Sequence, residues 1–229
     1  MVRATTRDVI WDFNGTLIDD VDLTVASVNV LLARRGLPQL QRDRYLRVFG
    51  FPLEDYYRSI GLDLAKESLA GLADEFHDAY EPGLAGCSLQ RGVADVVRWF
   101  CEAGSRQFVL SALEEGVLRR SIAALGLGNA FRGIYGLAHR LADSKVARGL
   151  DLVREHNLRS SDALLIGDTN HDADVASALG ISVALVAQGH QSLDRLAELG
   201  VDTFPDFGAL LFRLRSTSGC PARVRRRRA

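Results

Sequence analysis

Lysine is almost missing from this chain: of 28 basic Lys and Arg residues only Lys66 and Lys145 are lysines. A lysine in such a background stands out, because an ammonium is a compact point charge that a guanidinium does not replace. Cysteine is scarce as well. Cys87, Cys101 and Cys220 are odd in number and follow no metal-ligand spacing, which argues against a disulfide framework or a zinc site and reads as reduced thiols of a cytosolic protein. No apolar run approaches the roughly 20 residues that cross a bilayer, and no basic stretch followed by an apolar one opens the chain, so a cytoplasmic location without membrane is expected. Strong charge of either sign is missing too. The net charge of −1 argues against the broad positive field of a nucleic-acid or membrane binder. Only Arg223-Val224-Arg225-Arg226-Arg227-Arg228 concentrates one sign, and residues 216–229 read as a disordered basic tail rather than a docking site for an acidic partner.

What is there is ordinary soluble-protein composition, 47% hydrophobic and 25% charged over 229 residues, enough for one large core or a main domain with an insertion. Val9-Ile10-Trp11 reads as a buried strand that ends at Asp12 and breaks into a loop at Gly15. Val21 to Arg35 carries apolar residues at helical spacing and stops at Gly36. From there to about Pro82 the patterns are helical (Arg42 to Phe49, Leu53 to Ile60, Leu64 to Tyr80), without a convincing strand. After Pro82-Gly83 the texture alternates. Helices are predicted over Gly92 to Glu102, Glu114 to Leu125 and Lys145 to His156. Strands are predicted at Phe108-Val109-Leu110, at Ile134-Tyr135, at Ala163 to Ile166 and over Ile181 to Val186. Alternation of this kind implies an α/β fold with a parallel sheet covered on both faces. Three apolar strands then end at Asp12, Ser111 and Asp168, and a parallel sheet brings such ends to one crevice.

Two carboxylates at neighbouring strand ends, without an accompanying His or Cys cluster, form a hard-oxygen site that suits Mg²⁺ better than zinc. A phosphoryl group on that metal needs positive charge and hydroxyl or amide donors for its other oxygens, which Lys145 and either Ser111 or Thr16 could supply. An Asp near the phosphorus can also attack it, dividing one slow hydrolysis into two steps.

Asp12-Phe13-Asn14-Gly15-Thr16, Ser111, Lys145 and Gly167-Asp168-Thr169-Asn170-His171-Asp172 resemble, in order and spacing, the four motifs of the haloacid dehalogenase superfamily. The resemblance runs from about Asp8 to Val186 and is to the branch laid out like phosphoglycolate phosphatase. It implies a Rossmann-like three-layer core with a parallel sheet, formed by residues 1–19 and 83–215, and an inserted all-helical C1 cap over residues 20–82. By position it makes Asp12 the nucleophile and a Mg²⁺ ligand, with the main-chain carbonyl of Asn14 and the carboxylate of Asp168 as further ligands. Ser111 and Thr16 would hold phosphate oxygens, helped by main-chain amides near Phe13 and Ala112. Lys145 would neutralise charge, and Asp172 would orient Lys145 or sit just outside the metal's ligands. Asp172 also fits as a cap of a helix starting at Ala173. The implied activity is Mg²⁺-dependent hydrolysis of a small phosphorylated metabolite; whether the enzyme is a monomer or a homodimer stays open.

One departure matters. The family's phosphatases have a second Asp where this chain has Asn14, and that acid protonates the leaving oxygen and then deprotonates water. A neutral amide does neither, and loss of a general acid/base typically costs about 10²–10⁴ in rate. Three readings follow: a slow phosphatase, or one whose leaving group needs no acid; a phosphonatase-type hydrolase, for which Lys66 is the one candidate Schiff-base lysine; or a non-catalytic protein that binds a phosphorylated ligand or partner. His139, His171 and His190 read as loop residues, with His171 a possible rim contact. Tyr45, Phe49, Phe51, Tyr56 and Tyr57 fit either the core of the helical block or a substrate-facing wall, and Arg47 and Arg58 are candidate contacts for a substrate anion.

Overall fold

A computed structural model describes residues 6–138 and 145–217. Its organising element is β1 (Asp8–Trp11), a wholly buried strand at the centre of a six-stranded parallel sheet. On one side β1 pairs with β4 (Arg106–Glu114), which pairs with β5 (Gly133–Leu137). On the other it pairs with β6 (Ala163–Gly167), then β7 (Ser182–Val186) and β8 (Asp202–Phe204). The chain works outward from β1 to β5 and then crosses back to β6, so the direction of travel reverses beside β1. In open parallel sheets such a reversal opens the crevice where ligands bind.

Successive side chains of a strand face opposite ways. Val9 and Trp11 therefore join a core with α5 (Val93–Glu102), α6 (Glu115–Ala124) and α10 (Phe207–Thr217), while Ile10 packs on the other face with α7 (Lys145–Glu155) and α8 (Asn170–Leu179). Trp11 keeps its indole N–H satisfied inside this core by donating to Gln107 at 2.9 Å.

Between Asp19 and Ser88 lie four helices: α1 (Val21–Arg34), α2 (Arg42–Val48), α3 (Leu53–Ser59) and α4 (Leu69–Tyr80). They enclose an apolar core of their own, built on Val28, Leu31, Leu32, Tyr45, Tyr57 and Leu72. The chain enters this block through β2 (Ile18–Asp19) and leaves it through β3 (Ser88–Leu89), and these two short strands pair antiparallel.

Several boundaries differ from the sequence pattern, each for a local reason. Helix α4 begins at Leu69, not Leu64, because the Ser68 hydroxyl accepts the Gly71 N–H and caps it. Strand β4 continues past Ser111 to Glu114, with its pairing to β5 shifting register between Leu110 and Glu114, so Ser111 lies in an irregular strand end and not after it. Glu114 then caps α6 by accepting from Gly116 and Val117. Helix α8 starts at Asn170, three residues before the expected Ala173. Beyond Val186 the sheet gains β8, helix α9 (Leu193–Ala197) and α10, which were not anticipated. Residues 216 and 217 belong to α10 instead of a disordered tail; the rest of that tail lies outside the described residues. No helix among the described residues is long and apolar enough to cross a membrane.

Candidate active site

Asp12 follows directly on β1 and Asp168 directly on β6, and since the two strands are neighbours the two carboxylates meet above the sheet. Lys145, the first residue of α7, reaches into the same place. Its Nζ donates to Asp12 Oδ1 at 2.5 Å and to Asp172 Oδ1 at 2.7 Å, and the side chain is 3% exposed. Asp172 holds this ammonium while also capping α8: its Oδ2 accepts from the N–H groups of Asp168 and Thr169 and from the Thr169 hydroxyl. Helix cap and lysine anchor are thus one carboxylate.

Asp168 is fixed at both oxygens. The Thr16 hydroxyl donates to Oδ1 at 2.8 Å and the His190 N–H to Oδ2 at 2.6 Å. Two glycines make this close approach possible. A Cβ on Gly15, whose φ is +73°, or on Gly189 would fall within 3.0 Å of the Asp168 carboxylate.

The arrangement is electrostatically loaded. Burial, with Asp172 and Asp168 alongside, outweighs Lys145 and pushes the Asp12 carboxyl up to about 8; burial likewise lifts Asp168 to about 6. Lys145 is held above its usual range, since its two carboxylates overcome the burial that would discharge it. One oxygen each of Asp12, Asp168 and Asp172 lies within 4.8 Å of the others. Burial of Asp172 is outweighed by Lys145 and the Thr169 hydrogen bond, which hold it below the usual carboxylate range. The raised pair is therefore Asp12 and Asp168, an all-oxygen pair that fits a hard divalent cation whose charge removes the cause of their shift. Asp172 accepts from four donors, against two on Asp168 and one on Asp12, so Asp12 and Asp168 keep more lone pairs for a cation.

A second cluster adjoins the first and was not anticipated. Asp20, at the start of α1, is 1% exposed and does not cap the helix with its side chain. Its carboxylate accepts instead from the Gly15 N–H (2.6 Å), from Asn14 Nδ2 (3.1 Å) and from the Tyr80 hydroxyl (2.5 Å), with His190 Nε2 at 3.3 Å. His190 Nδ1 lies 2.8 Å from the Tyr45 hydroxyl. Although burial opposes its charge, Asp20, Asp168 and Asp12 push the His190 imidazole up to about 9. Asp20 is held below the usual carboxylate range, because His190, Tyr80 and Asn14 outweigh its burial. The Asn14 amide is thereby clamped: Nδ2 also lies 2.6 Å from the Tyr80 hydroxyl, and Oδ1 accepts from Ser111 at 3.3 Å.

Comparison with known proteins places this geometry. The profile of the haloacid dehalogenase-like hydrolases matches residues 9–186. The chain belongs to that family. Among its relatives is the phosphoglycolate phosphatase of Rhodospirillum rubrum, 28% identical over 224 residues that cover 89% of each chain. The tyrosine-protein kinase PtkA of Mycobacterium tuberculosis is 28% identical over 193 residues, covering 81% of this chain. This chain spans only 64% of the length of that kinase. A haloacid dehalogenase-like hydrolase of Streptococcus pneumoniae has the same fold, with a TM-score of 0.75 at 18% identity over 91% of this chain and 98% of its own.

Within this haloacid dehalogenase-like chain, Asp12, Asn14, Asp168, Lys145 and Ala112 all line one cavity, roofed by the helical block, with Asp172 just behind Lys145. Thr16 is fully buried and spent on Asp168, so the expectation that it holds a phosphate oxygen gives way to one of steering that carboxylate. The Ser111 hydroxyl is likewise engaged, donating to Asn14 and accepting from the Leu113 N–H. His190 is no loop bystander but a buried member of the site. Its signal in sequence was Gly189-His190 just after a strand. His171 lines the cavity and stacks on Phe51 at 4.3 Å. Of the aromatic group, Tyr45, Phe49, Phe51, Tyr56 and Tyr57 face the cavity while Tyr45, Tyr56 and Tyr57 also belong to the core of the helical block. Arg47 and Arg58 do not line it, and Arg58 pairs with Asp55. Lys66 is 80% exposed and paired with Asp63, away from the cavity, which removes the phosphonatase-type reading. His139 lies outside the described residues.

Proposed function

We propose that this chain is a Mg²⁺-dependent hydrolase of small phosphorylated metabolites that works through an aspartyl-phosphate on Asp12. The observation that carries the reading is the Asp12 carboxylate, held by Lys145 at 2.5 Å beside Asp168 on the floor of a roofed cavity. In this reading Asp12 attacks the phosphorus, and the anchored Lys145 stabilises the charge shared between its carboxylate and the phosphoryl oxygens. The main-chain N–H of Ala112 donates to a remaining oxygen, the Ser111 hydroxyl holds the Asn14 amide in place, and Asp172 keeps Lys145 aimed. Asp12, Asp168 and the Asn14 carbonyl would hold the metal, which when bound supplies a fixed positive charge for the phosphoryl oxygens. Residues 20–82 act as a cap whose closure excludes water.

The Asn14 amide favours a second reading, that of a phospholigand-binding protein without turnover, since it has no proton to exchange. Phosphate release from a panel of phosphomonoesters with Mg²⁺ separates the two. The hydrolase reading expects turnover that EDTA abolishes, an acid-stable phosphoryl label on wild type, and neither with Asp12→Asn. Binding of orthophosphate without turnover of any ester sinks the hydrolase reading and leaves the binding one.

A further inference from the structure

Resting on the hydrolase reading, we propose that the substrate is a phosphomonoester of an uncharged aryl group, so that the group Asp12 displaces from phosphorus is a phenolate. Three independent features of the cavity converge on this chemistry.

The first is shape. The cavity, from its Asp12, Asp168 and Lys145 end to the helical block, measures about 160 Å³, and Tyr45, Phe49, Phe51, Tyr56, Phe76 and Tyr80 wall it. A cavity of about 150 Å³ lined by apolar side chains accommodates benzene. Aromatic walls favour a ring that can meet them edge to face, as they already meet one another: Phe49 with Phe51 at 5.8 Å and Phe49 with Tyr56 at 5.1 Å.

The second is charge. Among the described residues Lys145, held between Asp12 and Asp172, is the one Lys or Arg on the cavity wall, and the His190 ring is held by Asp20. Asp12, Asp20 and Asp168 stand against them. A substrate with a carboxylate or a second phosphate would bring that charge against aromatic faces with no uncommitted cation to receive it. One neutral polar substituent has a place: the Tyr56 hydroxyl and His171 Nε2 are buried in the wall without a partner.

The third is the leaving group. Asn14 offers no acid, so the ester oxygen must depart as an anion. A phenol ionises with a pKa of about 10, like tyrosine. An aliphatic alcohol is close to water, at about 15.7. In the step proposed, an Asp12 oxygen forms a bond to phosphorus and the P–O(aryl) bond breaks. Its electron pair leaves on the phenolate, which takes a proton from water. Water then attacks the acyl phosphate, the bond between phosphorus and the Asp12 oxygen breaks, the carboxylate is restored, and hydrogen phosphate and a proton leave.

Phenyl phosphate, cyclohexyl phosphate and 2-phosphoglycolate separate these features, since the first two carry an uncharged ring of similar size but differ in leaving-group acidity. With Mg²⁺ the full chain should turn over phenyl phosphate at least about 10²-fold faster in kcat than cyclohexyl phosphate, at similar KM, because that is the range of a missing general acid. 2-Phosphoglycolate should have the poorest kcat/KM of the three. In Asn14→Asp/Asp20→Asn, which exchanges acid and amide, the phenyl-to-cyclohexyl ratio in kcat should fall by at least tenfold. Calorimetry on Asp12→Asn should find benzylphosphonate binding more tightly than phosphonoacetate, and Phe49→Leu should weaken the former selectively. Turnover of cyclohexyl phosphate or 2-phosphoglycolate on a par with phenyl phosphate would overturn the aryl assignment while leaving the hydrolase reading standing. No turnover of any ester would overturn both.

Discussion

Restoring the acid at position 14 by itself should destabilise the protein. Asn14 Nδ2 lies 3.1 Å from Asp20 Oδ2, a hydrogen bond that Asn14→Asp replaces with two carboxylate oxygens facing each other. Two full charges at that separation repel by about 5 kcal/mol even at an effective dielectric of 20. Asp20 cannot turn aside, since Gly15, Tyr80 and His190 hold it. The introduced carboxyl will instead take up a proton, so its folded pKa lies well above the unfolded value near 3.9. A raised acid pKa destabilises the folded state progressively as pH climbs through it, so the deficit against wild type should be small near pH 4 and largest at pH 8. There it should reach on the order of 2–5 kcal/mol, at about 2–4 °C of Tm per kcal/mol for a chain of this size. Asn14→Asp/Asp20→Asn restores one acid and one amide and should recover most of the loss. The assay is thermal unfolding of wild type, single and double variants from pH 4 to 8. A single variant as stable as wild type at pH 8, or a double variant no better than the single, would refute the coupling. It follows that the single variant is a poor probe of the absent acid.

Two further outcomes follow from the same contacts. Because the folded pKa of His190 is raised to about 9 from 6.5, its contribution is fully present below pH 6.5 and is lost as pH rises through 9. That shift corresponds to about 3 kcal/mol, so urea unfolding of wild type should weaken by this order between pH 6 and 10, and His190→Gln should flatten the profile. Lys145→Met leaves Asp12 and Asp172 buried without their cation and should lower stability by about 3–5 kcal/mol without metal, with partial recovery on adding Mg²⁺; a metal-free Tm unchanged from wild type would contradict the pairing.

The legible parts of this protein were those with a local signature. The buried strands β1 and β6 and the acids that follow them stood out as short apolar runs that break at polar loops. Lys145 stood out because the chain otherwise uses arginine. Asp20 was illegible for the opposite reason: an acid before an apolar helix reads as a cap, and only the returning α4, which brings Tyr80, and the distant loop with His190 redirect its carboxylate. Thr16 was misassigned because spacing places it near the phosphate but says nothing of Asp168, 152 residues away, which claims its hydroxyl. The last strand, β8, is three half-buried residues on the sheet edge, too short for a periodicity to show.

The antiparallel ribbon of Ile18–Asp19 and Ser88–Leu89 places the way into the helical block beside the way out. A graft made at this one doorway leaves the sheet and the Asp12, Asp168 and Lys145 cluster in place while it replaces Asp20, Tyr45 and Tyr80, the side chains that reach down to Asn14 and His190. Evolution could therefore trade the entire roof for another in a single recombination event, keeping the machinery beneath and changing the guest it admits.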